Sequence, residues 1–381
     1  MNETLPLSGL KVIELGSSLA GPSAAETLAL LGADVVKVEP PEGDASRTWG
    51  SSVANGGGIG YQSVNREKRS ITIDFSDDEQ LNKLKALIDK SDILLQNLRP
   101  GVTKKFGFDP RSAMATNPTL IYCNINSYGT KGPLKEQPGY DPLMQGFSGM
   151  MSITGESDRP PSRVGPSVID LGAGMWSVIG ILSALHQSKQ SGKGMVVDSS
   201  LMETALHWMK FPIAEYLESG KLLQRNGNKG PGLVPNRGFA TLDGDLMITV
   251  GTNGQFKNFC RALEQPDWLD DERFATNNSR TENFVELEQR IEKVLKTQPR
   301  ETWIERLSRV NVPNSPIHTI DEVVKHPQVT DVGLIQSSPD NSQRLVGLPL
   351  SFDQQRPTFK RQPPKLGEHN EEVFQQWLGE S

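Results

Sequence analysis

The chain begins with short apolar runs that alternate with amphipathic stretches. The runs predict buried strands and lie at residues 10–15, 35–38, 70–75, 93–95 and 120–124. Between them, residues 22–31 and 77–90 repeat apolar positions with the helical period, and the first of these segments begins at a proline and ends before Gly32. This alternation predicts parallel strands linked by helices, a Rossmann-like doubly wound α/β domain over residues 1–200.

A different pattern follows the stretch 201–225, which we interpret as a linker. Residues 238–250 predict a hairpin that turns at Asp243-Gly244. The period then becomes helical at about 255–264, 281–296 and 300–309, with Trp303 facing inward. Residues 226–334 are therefore predicted to form a smaller α+β domain together with its return linker.

Asp170 stands before residues 171–186, which predict a buried helix, and after a glycine- and proline-containing stretch at 163–169. The first amide groups of a helix have no intrahelical partner, and the helix dipole favours an anion there. Position alone favours a plain helix cap, a role that aspartate fills well. Asp170 is thus a candidate functional residue whose role depends on its surroundings.

Composition narrows the choice of partners. The 381 residues carry a net charge of −6 without a long basic run, so nucleic acid is not expected. The first residues lack the pattern of a signal peptide, and the apolar run 175–185 is too short to span a bilayer, so we expect a cytoplasmic protein with no membrane partner. Cys123 and Cys260 suit a reducing compartment, and no metal-ligand spacing of cysteine or histidine occurs, so no metal site is predicted.

The first strand–helix connection argues against a dinucleotide site. The loop 16–21 has glycine only at its two ends, whereas close approach to pyrophosphate requires Gly-x-Gly-x-x-Gly. Glu39 lies where such folds place a ribose-binding acid, but without the glycines we do not expect a nicotinamide cofactor. No Gly-x-Ser-x-Gly hydrolase elbow is present either.

Short motifs run in a fixed order through nearly the whole chain. They are Leu7–Glu14, Leu19–Pro22, Gly32–Glu39, Gly43-Asp44 with Arg47, Asn65–Ser70, Asn97–Gly101, Tyr128–Pro133, Gly139–Asp141, Met151–Gly155, the helix that Asp170 opens, and Pro363–His369. The ordered set resembles the class III CoA-transferases, the family of formyl-CoA transferase and the carnitine CoA-transferases. The resemblance implies an interlocked homodimer, in which each chain threads through the other and residues 335–381 complete the large domain.

The resemblance implies that Asp170 is the nucleophile. A carboxylate can attack a thioester carbonyl, and the enzyme must keep water from the resulting anhydride. No tightly bound cofactor is implied, because coenzyme A is itself substrate and product. By motif position, the implied CoA contacts are Leu19, Ala20, Ile73, Ser76, Asn97, Leu98, Arg99, Lys105 and Tyr140, and a substrate loop falls at Gly227, Gly230 and Gly232.

Several alternatives remain open from the sequence. Composition alone equally allows residues 227–232 to be an interdomain linker. The 2-methylacyl-CoA racemases of the same superfamily use the histidine of a Gly-His-Asp motif, where this chain has Tyr140, a poor base at neutral pH. A non-catalytic CoA-binding protein would use Asp170 as a plain cap. Leu19, Pro40 and Pro138 replace the glutamine, arginine and lysine of formyl-CoA transferases, which does not favour formate or oxalate as substrates.

Overall fold

The computed structural model describes residues 5–53, 57–230 and 232–379. The chain divides into two compact units: unit 1 is Met1–Met151, Arg163–Leu222 and Pro327–Ser381, and unit 2 is Ser152–Ser162 and Leu223–His326. The boundaries differ from the predicted ones in several places, among them residues 327–334, which were predicted with the small domain and its return linker but belong to unit 1. Residues 201–219, predicted as a linker, form two helices within unit 1, and residues 152–162, predicted to belong to the large domain, fall in unit 2.

The strands are β1 (Lys11–Leu15), β2 (Asp34–Glu39), β3 (Arg69–Thr72), β4 (Ile93–Gln96), β5 (Ile121–Asn126), β6 (Met195–Ser200), β7 (Asn236–Ala240), β8 (Asp245–Thr249), β9 (Asn314–Pro316), β10 (Ile335–Ser337) and β11 (Arg344–Val346). The helices are α1 (Ala20–Leu30), α2 (Ile59–Gln62), α3 (Asp78–Asp89), α4 (Val102–Lys105), α5 (Pro110–Thr116), α6 (Asp141–Phe147), α7 (Val168–Ser191), α8 (Leu201–Trp208), α9 (Lys210–Ser219), α10 (Asn253–Ala262), α11 (Asn277–Glu282), α12 (Phe284–Leu295), α13 (Arg300–Arg309), α14 (Ile320–Val323), α15 (Pro327–Asp331) and α16 (Asn370–Val373).

Unit 1 is built on a six-stranded parallel sheet with the order β3-β2-β1-β4-β5-β6. In this order β1 pairs with β2 through Val12 and Val35, and with β4 through Val12 and Ile93. The strands are apolar along most of their length because helices cover both faces of the sheet. The connections leave β1 and β4 in opposite directions, which opens a crevice at the carboxyl ends of these two strands, where α/β sheets bind their ligands. The predicted doubly wound fold is confirmed.

The last motif of the chain closes an edge of this sheet. The backbone N–H of His369 donates to the carbonyl oxygen of Ser70 (2.9 Å), and the Asn370 side chain pairs with the backbone and hydroxyl of Thr72 (2.9 and 3.0 Å). Trp377 then packs into the core beside α3. Residues 363–370 therefore protect the open edge of β3, which is a structural role.

Unit 2 contains the antiparallel sheet β7-β8-β9 and the helices α10 to α14. Its core gathers side chains from both layers, among them Phe239, Leu246, Phe259, Leu287 and Trp303. The predicted hairpin is confirmed, and so are three amphipathic helices near the predicted positions. Trp303 is buried, as its place in the helical pattern indicates.

Helix α7 is longer than the predicted segment and has 24 residues. By length and composition alone it is sufficient to cross a membrane, a test that the core helix of a soluble protein also passes. One face is buried and includes Ile169, Ala173 and Ile181, while Met175 and Ile179 on another face are exposed. The prediction of a fully buried helix is therefore correct for one face only.

Candidate active site

Asp170 lies in the first turn of α7 but does not cap it. The N-cap residue is Ser167, whose side chain makes no capping hydrogen bond. The first four amide groups already have acceptors: Val168 donates to the Pro166 carbonyl (2.8 Å), Ile169 and Asp170 donate to Oδ2 of Asp141 (2.7 and 3.2 Å), and Leu171 donates to the Ser167 carbonyl (3.0 Å). Because every donor is used, the interpretation of Asp170 as a plain helix cap is wrong.

The Asp170 carboxylate has an unusual environment. In the described ranges its oxygens accept no hydrogen bond, although the side chain is half-buried. Burial, and then the negative charge of Asp141, raise the pKa of Asp170 to about 7. A buried carboxylate without a donor or a cation is costly to ionise, and a more basic carboxylate is a better nucleophile. The Asp170 carboxylate is therefore more basic than that of an ordinary aspartate.

Asp141, and not Asp170, accepts the hydrogen bonds of two amide groups at the start of α7. It is the first residue of α6, is 2 % exposed, and its Oδ2 atom bridges the amides of Ile169 and Asp170. Its Oδ1 atom accepts a hydrogen bond from the side-chain amide of Gln145 (2.6 Å), one turn further along α6. Asp141 appears in the sequence only as part of the Gly-Tyr-Asp motif, and Gln145 was not predicted. An Asp and a Gln four residues apart on a helix were the available signal.

Two glycines bring the start of α7 close to neighbouring helices. A methyl group at Gly174 would lie 3.0 Å from the carbonyl oxygen of Ala20, at the start of α1. A methyl group at Gly172 would lie 2.7 Å from Nε1 of Trp208, on α8. Asp170 and Gly174 are four residues apart and share one face of α7, and at Gly174 this face packs against the first turn of α1.

The predicted residues Leu19 and Ala20 lie at the start of α1, the turn that approaches Gly174, four residues beyond Asp170. Leu19 is the N-cap of α1 and makes no side-chain capping bond. Asn97 follows β4, and its side chain makes two hydrogen bonds to the backbone of Ser17 in the β1–α1 loop. Oδ1 of Asn97 accepts from the N–H of Ser17 (2.8 Å), and Nδ2 donates to the carbonyl oxygen of Ser17 (2.9 Å). The side chain of Asn97 also lies against Gly21, where a methyl group would be 3.1 Å away. Three predicted contact residues, Leu19, Ala20 and Asn97, thus meet at the start of α1.

The β1–α1 loop is also held from beneath by a buried lysine. Nζ of Lys37 donates to the carbonyl oxygen of Gly16 (2.7 Å) and contacts carboxylate oxygens of Glu14 and Asp44 (3.1 and 2.9 Å). Asp44 in turn accepts a hydrogen bond from the backbone N–H of Ser18 (3.3 Å). Lys37 was not predicted to have a role of its own, because the sequence around a lysine in an apolar strand does not indicate which distant residues it contacts.

The other predicted CoA contacts lie around the same carboxyl edge but differ in exposure. Ile73, directly after β3, is 1 % exposed and belongs to the core, so only its backbone is available to a ligand. Ser76 is exposed, and its hydroxyl donates to Asp74 (2.6 Å). Leu98 is partly buried against the same core. In the described ranges the exposed side chains of Arg99 and Lys105 have no acidic partner.

Tyr140 precedes α6 and is 60 % exposed, next to buried Asp141.

The predicted substrate loop belongs to unit 2, and its residue Pro231 lies outside the described residues. Gly227 bonds to the carbonyl of Gly155 (2.9 Å), and a side chain there would meet the Glu156 carboxylate. Gly230 bonds to the carbonyl of Asn236 (2.7 Å), whereas Gly232 has open space around it and a φ of +75°. The anchored glycines do not fit the alternative of a plain flexible linker.

Glu39 is not available to bind a ribose. Its carboxylate accepts hydrogen bonds from Nε and Nη2 of Arg47 (2.7 and 2.6 Å) and from the hydroxyl of Ser70 (2.6 Å), and the residue is 1 % exposed. A buried acid with its acceptor sites filled is a structural element.

Unit 1 thus combines a parallel α/β sheet with a half-buried carboxylate, that of Asp170, which accepts no hydrogen bond in the described ranges. The model of CoA-transferase family III matches residues 7–370. The chain belongs to this family. It is similar to a succinate–glutarate CoA-transferase of Agrobacterium fabrum, with 38% identity over 384 residues that cover 98% of this chain and 96% of the relative.

A human succinyl-CoA:glutarate CoA-transferase is 31% identical over 382 residues, which cover 99% of this chain and 87% of the relative. A crystal structure of a CAIB/BAIF family protein from Brucella suis superposes with a TM-score of 0.91 at 36% identity, covering 98% of this chain and all of that chain (100%). The protein is a CoA-transferase that moves CoA between an acyl-CoA thioester and a carboxylic acid. The racemase alternative has no support among these relatives, which carry CoA-transferase names.

Proposed function

We propose that Asp170 is the covalent nucleophile of this CoA transfer and that the acids exchanged are dicarboxylic acids. The observation that carries the first part is the carboxylate of Asp170, which stands unpaired at the start of α7 beside the β1–α1 loop. The names of two relatives, which pair succinate or succinyl-CoA with glutarate, support the second part.

The proposed reaction begins with a carboxylate oxygen of Asp170. It attacks the thioester carbonyl carbon, the carbon–sulfur bond breaks, and CoA leaves as a thiolate. The thiolate then attacks the Asp170 carbonyl of the mixed anhydride, which releases the donor acid and leaves an aspartyl-CoA thioester. The acceptor carboxylate attacks this thioester to form a new anhydride, and the thiolate returns to the acceptor's acyl carbon. One thioester is broken and one is formed, so the cycle requires no ATP.

The structure supports this assignment through what Asp170 lacks. An aspartate bound by backbone amides has a lowered pKa and is a weak nucleophile. Asp141 occupies those amides instead, so that the Asp170 carboxylate keeps a pKa of about 7. The free oxygens are then available to the thioester carbon. Arg99 and Lys105 at the same sheet edge, which have no acidic partner in the described ranges, are available to the phosphates of CoA.

The test is direct labelling of the nucleophile. Incubation with succinyl-CoA without acceptor, trapping with hydroxylamine or borohydride, and mass spectrometry are expected to place the modification on Asp170. Label on another residue would refute the assignment. A panel of mono- and dicarboxylic acceptors, including glutarate, then tests the substrate class, and a clear preference for monocarboxylic acids would refute that part alone.

We also propose that the enzyme acts as an interlocked homodimer. Leu171, Met175, Ile179 and Leu182 form an exposed apolar stripe along α7, and Met175 is 59 % exposed. Helix α9 adds Phe211 and Leu217, the latter 77 % exposed. Apolar surface of this extent on connected helices is typical of an obligate interface. Light scattering is expected to give twice the chain mass, and Met175→Glu with Ile179→Glu is expected to yield monomer; a monomeric wild-type enzyme would refute the dimer.

A further inference from the structure

Gln145 connects the two segments that meet at Asp170. Its side-chain Nε2 donates to Oδ1 of Asp141 (2.6 Å) within α6. Its Oε1 accepts a hydrogen bond from the backbone N–H of Val164 (2.8 Å), in the loop that leads into α7. Gln145 is fully buried and Asp141 is 2 % exposed, so water cannot replace these bonds. One amide group therefore fixes both the acid that caps α7 and the loop that precedes it.

A glutamine is required by this arrangement because both partners are fixed. The Val164 amide is a donor and must meet an acceptor, while the Asp141 carboxylate is an acceptor and must meet a donor. Only a side-chain amide provides both at this distance without a charge. A methionine of similar size would leave a buried amide and a buried carboxylate oxygen unsatisfied, which the surrounding structure relieves by moving them.

The consequence reaches Asp170 through Asp141. Oδ2 of Asp141 holds the amides of Ile169 and Asp170 only while Oδ1 is held by Gln145, since rotation of the carboxylate would break both sets of bonds. With those amides released, the Asp170 side chain could bond to its own helix terminus, as an aspartate near an N-cap ordinarily does. The nucleophile would then be turned away from the crevice and stabilised as an anion.

We propose that Gln145 is a positioning residue for the nucleophile, which keeps the first turn of α7 capped by Asp141 so that the Asp170 carboxylate stays free to attack the thioester. The proposal rests on the assignment of Asp170 as nucleophile. It concerns a residue that contacts neither substrate nor Asp170 directly.

The test uses the full-length enzyme with three variants. Gln145→Met is expected to lower kcat and the rate of Asp170 acylation by roughly 10- to 100-fold, as expected for a misplaced reacting group, while the KM for the acyl-CoA donor changes little. Gln336→Met is the matched control, because Gln336 also accepts from one group, Arg66 (2.7 Å), and donates to another, the Pro357 carbonyl (2.8 Å). Its variant is expected to keep the wild-type kcat.

Gln145→Glu provides the conservative variant and guards against a misfolded methionine variant. When protonated, the new carboxyl can accept from Val164 and donate to Asp141; when ionised, it repels Asp141. The ratio of its kcat to that of the wild type is therefore expected to approach one in acid and to fall as the pH rises. A ratio that does not change with pH, or a folded Gln145→Met variant with wild-type kcat and acylation rate, would overturn the proposal. Wild-type enzyme that is not labelled at Asp170 would instead refute the nucleophile assignment itself.

Discussion

Two groups of carboxylates in unit 1 differ in whether a cation compensates their charge. Beneath the β1–α1 loop, Glu14, Asp44 and Glu39 face Lys37 and Arg47, and each acid has a cation within 3.1 Å. At the start of α7, Asp170 faces Asp141, a group of the same charge, and has no cation partner among the residues that the structure describes. The first group is closed and satisfied, whereas the second is left open on one side.

The difference appears directly in the proton equilibria. Burial alone would raise the pKa of Glu39, but the hydrogen bond of Arg47 and the charges of Lys37 and Arg47 lower it overall. For Asp170, burial and the charge of Asp141 act in the same direction and raise the pKa to about 7. Paired buried acids hold the fold together, and the unpaired acid is kept at an energetic cost. Such a cost persists where the group has a function.

The largest expected effect comes from removing the open carboxylate. Asp170→Asn keeps the size of the side chain but abolishes the nucleophile, so kcat is expected to fall on the order of 10⁵-fold, about 7 kcal/mol of barrier. Steady-state assays of transfer from succinyl-CoA to glutarate measure this loss. Asp331→Asn, on an exposed residue, is the control and is expected to leave kcat unchanged. Retained turnover in Asp170→Asn would remove the distinction between the two groups.

The next largest effect is on stability and concerns the buried carboxylates that pair with Lys37. Lys37→Met removes the cation that Glu14 and Asp44 share. Glu14 keeps its ion pair with Lys68 (2.7 Å), but Asp44 is left buried without a cation in the described ranges, which is expected to lower the free energy of unfolding by about 3–5 kcal/mol. Urea denaturation followed by circular dichroism measures this change. Lys90→Met, on an exposed lysine at the end of α3, is expected to stay within about 0.5 kcal/mol of the wild type. Equal effects in both variants would show that the buried group is not a structural element.

A smaller effect is expected from the two cations at the carboxyl edge of the sheet. Arg99→Gln and Lys105→Gln each remove an exposed cation without an acidic partner, so the KM for the acyl-CoA donor is expected to rise by about 1–3 kcal/mol in free-energy terms. The KM for the acceptor acid should not change. Comparison with dephospho-CoA esters identifies the contact, since equal weakening for both donors would show that neither residue binds the 3′-phosphate.

The sequence was sufficient for the features that depend on local pattern or on ordered motifs. The apolar runs predicted five of the six strands of the parallel sheet, all except β6, and the period of residues 281–309 predicted two helices of unit 2, because periodicity reflects burial directly. The motif series identified the family. The predicted linker at 201–225 failed because the apolar side chains of α8 and α9 have no strict period; some pack on α7, and others, such as Leu217, are exposed.

The site itself was only partly predictable. Asp170 could be singled out by its position, but its chemistry depends on Asp141, which lies 29 residues away and reaches the same helix terminus through space. The four-residue spacing of Asp141 and Gln145 was a local signal, but the bonds of Gln145 to Val164 and of Lys37 to its partners are non-local and leave no pattern in the sequence. Ile73 was predicted as a contact on motif position, and only the structure shows that its side chain is part of the core.

The smallest effect, and the finest test of the comparison, is the dependence of the rate on pH. The attacking species is the Asp170 anion, and its pKa is about 7 rather than the ordinary value of 3.8. Below pH 7 the ionised fraction, and with it kcat/KM for the donor, is expected to fall about tenfold for each unit of pH, and above pH 7 to level off. The stability has the opposite sign: because the folded state binds the proton more tightly than the unfolded state, the wild type loses stability as the pH rises from about 4 to 7. Asp170→Asn lacks this titration, so its melting temperature relative to the wild type should rise over the same interval. A rate profile whose midpoint lies near the ordinary aspartate pKa of 3.8 would show that the pKa of Asp170 is not raised, and would contradict the difference between the two groups.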